Sequence, residues 1–556
     1  MPVCSLLVLL AAVAPPSVPS GSLELLRAVP DDAAFVLVGV GLDRQVAALR
    51  DSPFLAALQK SPLGRTVNQA KEWEDLQKLE EYLRKGLEIE AAHLAEVLPG
   101  EALIYAYRNG PPDKPEQEQG LFLVRARKAH LLTDLVNRLN EAQKKSGELR
   151  ELLPCEHRGV KYWSRRERTD RSFYLQRGPH LLFTGQEAIL KDAIDCELDR
   201  KPGEKGLFEQ QLSELSSNPA GVHFLLNPRA FDALLAEQAD KGPGSKTVAD
   251  YWKALHHLRL SLTWHDEFRL SLAVQGNPKK LPATGQRFFA APGEASALWA
   301  YMPDQPLLAI GSRLDIAGLY AVLGEFSPPE LRELGEKEIE RSLGAMVGRS
   351  IIKEVLPALG PDWGLYLVAR DPKEPLPRVL FALRLENNSA DPIDEAILDA
   401  IHAWAQMAIL AHNKSNPEEP ARSRTRLLDK SRVRVVEGLP FGLVPAYGLR
   451  DGFLVVTSHV DEWARFKKGK SPDPAGSTPL LRVAIGHLAD HLHRHREALG
   501  EWLAKRDRIP HEVASQRLET LIGILKLFEQ LDLRHESSRG RTTLTLTLTP
   551  AQALSR

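Results

Sequence analysis

Cysteine, net charge and long apolar runs are all scarce in this 556-residue sequence. Its 3 cysteines, Cys4, Cys155 and Cys196, form no C-x-x-C pair, so neither a dithiol redox motif nor a structural zinc motif is supported. Lys and Arg total 72 against 73 Asp and Glu, a formal net charge of −1. A dedicated nucleic-acid binder shows a basic excess or a basic face, so nucleic acid is not an expected partner. The densest basic run, SRRERTDR (164–171), is broken by Glu167 and Asp170 and reads as a solvated hairpin. G-x-S-x-G and G-x-x-x-x-G-K-S/T are both missing, which removes the familiar acyl-transfer and phosphate-loop signatures. GVGLDR (39–44) lacks the third glycine of a dinucleotide site and reads as a strand-to-helix turn. No catalytic residue is singled out, and an enzyme is the less favoured reading.

What is present begins at the N-terminus. CSLLVLLAAVA (4–14) is an uncharged apolar run followed by PPSVPSGS (15–22). The pair has the apolar region and small-residue cleavage zone of a secretory signal, although no Lys or Arg precedes it. Val18 and Ser20 suit the positions before the cut, so residues 1–20 are expected to be a signal peptide. The run is shorter than the roughly 20 residues of a membrane-spanning helix. Cys4 precedes it, where a lipoprotein cysteine would follow, so no lipid anchor is expected. The mature chain is expected to carry no transmembrane segment and to work outside the cytoplasm, in the periplasm or secreted. There Cys155 and Cys196 could pair, closing a loop worth roughly 4 kcal/mol, or stand as two buried thiols.

Three segments recur in order. VPDDAAFVLVGVGLDRQVAAL (29–49) is echoed by MPDQPLLAIGSRLDIAGLYAVL (302–323). EVLPGEALIYAYRNGPPDKPEQEQGLFLVRAR (96–127) is echoed by EVLPALGPDWGLYLVARDPKEPLPRVLFALRL (354–385), and RGPHLLFTGQEAILKDAI (177–194) by RDGFLVVTSHVDEWARF (450–466). The first and last echoes share one separation, setting Pro30 on Pro303 and Thr184 on Thr457. Three ordered matches predict a tandem duplication. Each copy reads as a strand, helices (68–98 in the first), two paired strands, a helix, three short strands, a further helix, then a strand, helices and a closing hairpin. The closing strands, such as TTLTLTLT (542–549), alternate and predict half-buried antiparallel pairing. The fold class expected is α+β: two tandem modules, 21–278 and 286–556, each a largely antiparallel sheet covered by helices on one side.

The one cluster of metal-ligating type is HLADHLHRH (487–495). On a helix His487, His491 and His495 form a ridge, and adjacent members can share a metal as in H-E-x-x-H. All three cannot, since the outer two lie about 12 Å apart along the axis. A zinc site on His487 and His491 would need a third ligand from elsewhere, with His511 or Glu512 nearest in sequence. Arg494 and Arg496 oppose a cation there, and Leu488, Leu492 and Leu499 make the ridge the shoulder of an amphipathic helix. His265–Asp266 and His535–Glu536, near the turns of the closing hairpins, are weaker acid–base candidates explained equally well by turn chemistry.

The opening of each copy, an apolar residue, Pro, Asp, a short apolar strand, then LD and a helix, resembles bacterial extracytoplasmic proteins that carry a domain of unknown function. The resemblance extends as a pattern over most of the mature chain. It implies secretion and a repeated α+β module, and it supplies no catalytic residues. The function expected is a binding or structural protein that takes an apolar ligand or an envelope protein in a groove between the modules. The alternative is a metal-dependent hydrolase centred on His487 and His491.

Overall fold

In the computed structural model, the described residues are 24–62, 64, 81, 102–111, 113–168, 170–214, 220–239, 242–264, 266–290, 294–386, 393–469, 477–538 and 540–551. The expected signal peptide, the helix expected over 68–98 apart from residue 81, and His265 lie outside them. The chain divides into two compact units, the first of residues up to 237 with 255–277, the second of 238–254 with 278–551. The division departs from a single cut near 278 in one respect. The helix Pro243–Trp252 belongs with the second unit, where the Tyr251 hydroxyl donates to Glu325 Oε2 at 2.8 Å and Thr247 Oγ1 to the Glu325 carbonyl at 3.0 Å.

The first unit is an antiparallel sheet. Its strands are β1 (Phe35–Val40), β2 (Ala102–Arg108), β3 (Gln119–Arg125), β4 (Leu149–His157), β5 (Val160–Glu167), β6 (Arg171–Arg177), β7 (His180–Thr184), β8 (Gly221–Leu226), β9 (Leu255–Trp264) and β10 (Phe268–Gly276). They pair in the order 4-5-6-7-3-2-1-8-9-10. Among its helices are α1 (Leu42–Arg50), α2 (Ala129–Ser146), α3 (Glu187–Asp199) and α4 (Leu207–Ser213).

The second unit is also an antiparallel sheet, of β11 (Leu308–Arg313), β12 (Leu359–Val368), β13 (Arg378–Leu385), β14 (Arg422–Leu428), β15 (Ser431–Glu437), β16 (Ala446–Arg450), β17 (Phe453–Thr457), β18 (Thr478–Val483), β19 (Phe528–Ser538) and β20 (Arg541–Pro550). Its order, 14-15-16-17-13-12-11-18-19-20, is that of the first unit with ten added to each strand. Its helices include α5 (Ile393–Ser415), α6 (Val460–Arg465), α7 (Ile485–Arg494) and α8 (Arg496–Asp507).

The matched threonines do matching work. Thr184 and Thr457 end β7 and β17 opposite Leu121 and Leu380, both buried, and each hydroxyl accepts the backbone N–H two residues on at 3.1 Å. That bond turns the chain from strand into helix.

Helices were expected on one side of each sheet; they lie on both. In the first unit Val36, Ile104, Leu123, Phe173 and Leu182 meet α3 and α4 on one face. Tyr174, Leu181 and Phe183, of opposite parity, meet Leu132, Leu135 and Val136 of α2 on the other. The second unit repeats this, with Val433, Val435 and Val455 toward Trp463 of α6, and Val436, Tyr447 and Val456 toward α5. Strands burying both parities read as near-continuous apolar runs, and β6 is buried at four successive positions, Ser172 to Leu175.

Candidate functional site

The sequence-derived candidates fare unevenly as geometry. His491 is 3% exposed on α7, while His487, one turn earlier, is exposed to solvent. The imidazole of His491 donates from Nε2 to the Pro375 carbonyl at 3.1 Å, which commits that nitrogen and fixes the tautomer. The helix ends at Arg494, and the ring nearest His491 is that of His495, with centroids 4.8 Å apart. The structure therefore groups His491 with His495 rather than with His487. Among the described residues no three His, Cys, Asp or Glu side chains cluster closely enough to hold a metal ion.

Burial is the main cause that pushes the His491 pKa below its ordinary value of 6.5, with the Pro375 hydrogen bond opposing. His535 and His402 are lowered by burial too. For a base lowered in the native state, the unfolded chain takes up protons first as pH falls. The stabilisation is thus complete above about pH 6.5 and declines as pH drops through that value toward the lowered native ones. The melting temperature is expected to fall between about pH 7.5 and pH 5, and His491→Gln, which keeps a donor for Pro375, should flatten that fall. Equal slopes for the two proteins would remove His491 from the account.

The other candidates separate physically. His535 and Glu536 are neighbours within β19, so they point to opposite faces and make no acid–base pair. Gly41, at φ 56°, caps the start of α1 after β1, so GVGLDR is the strand-to-helix turn. Arg165 and Arg166 lie on β5 in a hairpin with β6, and Arg165 is buried against Glu167 at 3.3 Å.

The disulfide that the sequence allows is not formed: Cys155 and Cys196 are both free and partly buried. Helix α3 presents Glu187, Asp195 and Asp199 to the β4–β5 hairpin, where they meet Tyr162, His157 and Arg158. Asp192, one turn before Cys196, instead meets Arg108 of β2 at 2.6 Å. Cys155 faces the first flank and Cys196 stands on the second.

Two features were missed from sequence. The first is Glu462 of α6, which is 0% exposed. Its carboxylate accepts from Arg370 Nε at 3.0 Å and Nη2 at 3.2 Å and from the Tyr366 hydroxyl at 3.3 Å, with Arg378 3.7 Å away. Arg378 also grips Glu374 at 2.8 Å and Asp461 at 3.2 Å. The cluster clamps the β12–β13 loop that carries Pro375. Nothing in the spacing of Arg370, Arg378 and Glu462 signals it, because the partners come from separate elements.

The second is the outer face of α5. Its inner side, Leu398, Ile401, Ala405 and Ile409, packs on Val436, Tyr447 and Val456. His402 Nδ1 meets the Tyr447 hydroxyl at 2.8 Å, and Asn413 exchanges two hydrogen bonds with the backbone of Ala421. The side turned to solvent is apolar: Ala403, Trp404, Met407, Ala408, Leu410 and Ala411. Trp404, Met407 and Leu410 are 55%, 52% and 68% exposed. Together they present roughly 300–400 Å² of apolar area, the size of the largest patch on a typical monomer, which is often functional. The Trp404 indole N–H is bonded to Met346 Sδ, and Leu343, one turn before Met346, adds a further exposed apolar side chain.

Helix α2 holds the same place in the first unit, after β3 and before β4. Its outer positions are Thr133, Asp134, Asn137, Arg138 and Glu141. The fold therefore tolerates a polar outer face at this helix, and the apolar one on α5 is not required by packing. The signal was legible in AWAQMAILA (403–411), in which Gln406 is the one polar residue.

Beside α5 lies a basic hairpin. Residues 422–437 carry six cations, Arg422, Arg424, Arg426, Lys430, Arg432 and Arg434, against Asp429 and Glu437. Leu427 pairs with Arg432 and Thr425 with Arg434, on the same face as Val436, which is the face that α5 covers. Arg434 lies close enough to His402 for its charge to lower the imidazole pKa further, after burial. Leu427 is 73% exposed. Among the described residues no helix is long and apolar enough to cross a membrane.

No family model matches the chain, and no curated protein matches it. Among solved structures, crystal form IV of TP0453 is similar over 46% of this chain and 83% of that one, at 12% identity and a TM-score of 0.24. Crystal form III of the same protein gives 48%, 84%, 11% and 0.23. Likeness at such TM-scores carries nothing further about this chain.

Proposed function

We propose that this chain is a binding protein built from two copies of one antiparallel module, and that the second copy supplies the docking face on α5. The observation that carries the reading is the contrast between equivalent helices: polar outward on α2, apolar outward on α5. Keeping Trp404, Met407 and Leu410 in water is unfavourable by about 25 cal/mol for each Å² left exposed. A partner that covers them recovers that free energy.

The face is expected to take up a neutral apolar dye. Nile red should fluoresce with the folded wild-type protein and lose most of its enhancement with Trp404→Ser/Leu410→Ser. Trp404 is half-buried beside Met346, so the double variant should stay folded with a loss of about 1–3 kcal/mol, read from its unfolding curve. Dye fluorescence that the double substitution leaves unchanged would sink the reading.

A further inference from the structure

We infer that the occupant of the α5 face is an anionic lipid surface, on which α5 lies flat while the β14–β15 hairpin engages the headgroups. The inference rests on the docking reading above and adds the identity of the partner.

Three observations select lipid. The apolar residues form a ridge on the outside of one helix, not a groove, with Trp404 among them. A convex apolar ridge suits a deformable interface, where an amphipathic helix sinks its apolar side to the headgroup boundary and tryptophan is favoured. Next, the charge beside the ridge is predominantly positive. Arg432 and Arg434 stand on the face that α5 covers, with Leu427 of β14 exposed opposite Arg432. The hairpin as a whole has six cations against two carboxylates. Basic residues held near an anionic bilayer each add attraction. Finally, the apolar stretch occupies the C-terminal half of α5, which ends in His412 and Lys414, whereas Asp394, Glu395 and Asp399 sit at the opposite end. Asp399, four residues before Ala403, and Glu418 and Glu419 after the helix are the opposing charges that flank the stretch in sequence.

A second copy of the chain fits less well. A two-fold contact on this face would bring the hairpin's excess of positive charge toward its own counterpart, and like charges brought together disfavour that pairing.

The test uses the full mature chain in co-sedimentation with vesicles of phosphatidylcholine alone and of phosphatidylcholine mixed with phosphatidylglycerol. Wild type should bind the mixed vesicles at least about tenfold more tightly than the neutral ones, and added salt should weaken the binding. Trp404→Ser/Leu410→Ser and Arg432→Ser/Arg434→Ser should each weaken it by about tenfold or more, with both variants still cooperatively folded. Equal binding to the two vesicle types, no binding, or full binding by either variant overturns the inference. A dimer in sedimentation equilibrium that Trp404→Ser/Leu410→Ser dissociates would overturn it too and assign the face to a second copy. Dye binding at α5 without vesicle binding would remove the lipid and leave the docking face standing, so the two readings fail separately.

Discussion

Glu462→Gln is expected to destabilise the second unit by about 3 kcal/mol, read as a drop in the urea midpoint of the intact chain. The carboxylate is fully buried and accepts three hydrogen bonds, two from Arg370 and one from Tyr366. Glutamine preserves the volume but replaces one acceptor oxygen with an NH2 group. That group faces guanidinium donors, so donor meets donor where a charge-assisted bond stood. Two features hold the effect at the lower end of what breaking a buried pair costs. Arg370 is 27% exposed and can turn to water, and Arg378 retains Glu374 and Asp461. Because the same cluster clamps the loop that carries Pro375, the variant should also loosen the seat of His491. An unchanged urea midpoint would show that Glu462 fills space and nothing more.

Arg200→Ala should have a comparable effect in the first unit, about 2–4 kcal/mol, because the side chain ties a whole segment to the sheet–helix core. Arg200 is 9% exposed and donates to the carbonyls of Leu26, Arg27 and Val29 and, at 2.6 Å, to Asp31. Arg27 answers by donating to the carbonyls of Arg200 and Lys201 at 3.1 and 3.0 Å. Removing the guanidinium leaves several carbonyls short of a donor in the turn that places Leu25, Leu26 and Val29 in the core. Arg158 makes ion pairs at 3.0 and 2.7 Å to Asp195 and Asp199, yet 44% of its side chain is exposed. Arg158→Ala should therefore change little, since exposed pairs are screened and give up ordering entropy. Amide exchange over residues 24–29 should quicken for Arg200→Ala and not for Arg158→Ala. The reverse ranking would contradict the role of burial.

Much of the fold was legible locally. The alternation of TTLTLTLT, the strand pair on either side of PPDKPEQE, and the ordered echoes all depend on residues close in sequence or on similar stretches recurring in one order. The resulting expectation of an antiparallel α+β fold agrees with the structure. The helices on both faces were not read, because strands buried on two sides lose the alternation from which a face is judged, as in β6 and β17. The histidine ridge, too, rests on local spacing alone. Helical spacing groups His487, His491 and His495, but the helix ends at Arg494, and packing buries His491 while leaving His487 in solvent.

The sequence by itself determined the near-neutral charge, the scarcity of cysteine, the apolar composition of 403–411 and most of the order of elements, but β4 and β14 make four strands where three were expected in each copy. These follow from composition and from short-range periodicity, which need no tertiary partner. The tertiary structure decided which side of α5 remains uncovered, that Arg432, Arg434 and Leu427 share its face of the sheet, and that Glu462 closes on Arg370 and Arg378. Each of those depends on pairing between segments distant in the chain. An apolar helix read alone fits a core as well as a surface, and only the packing of its inner side on Val436, Tyr447 and Val456 shows that Trp404, Met407 and Leu410 were left over.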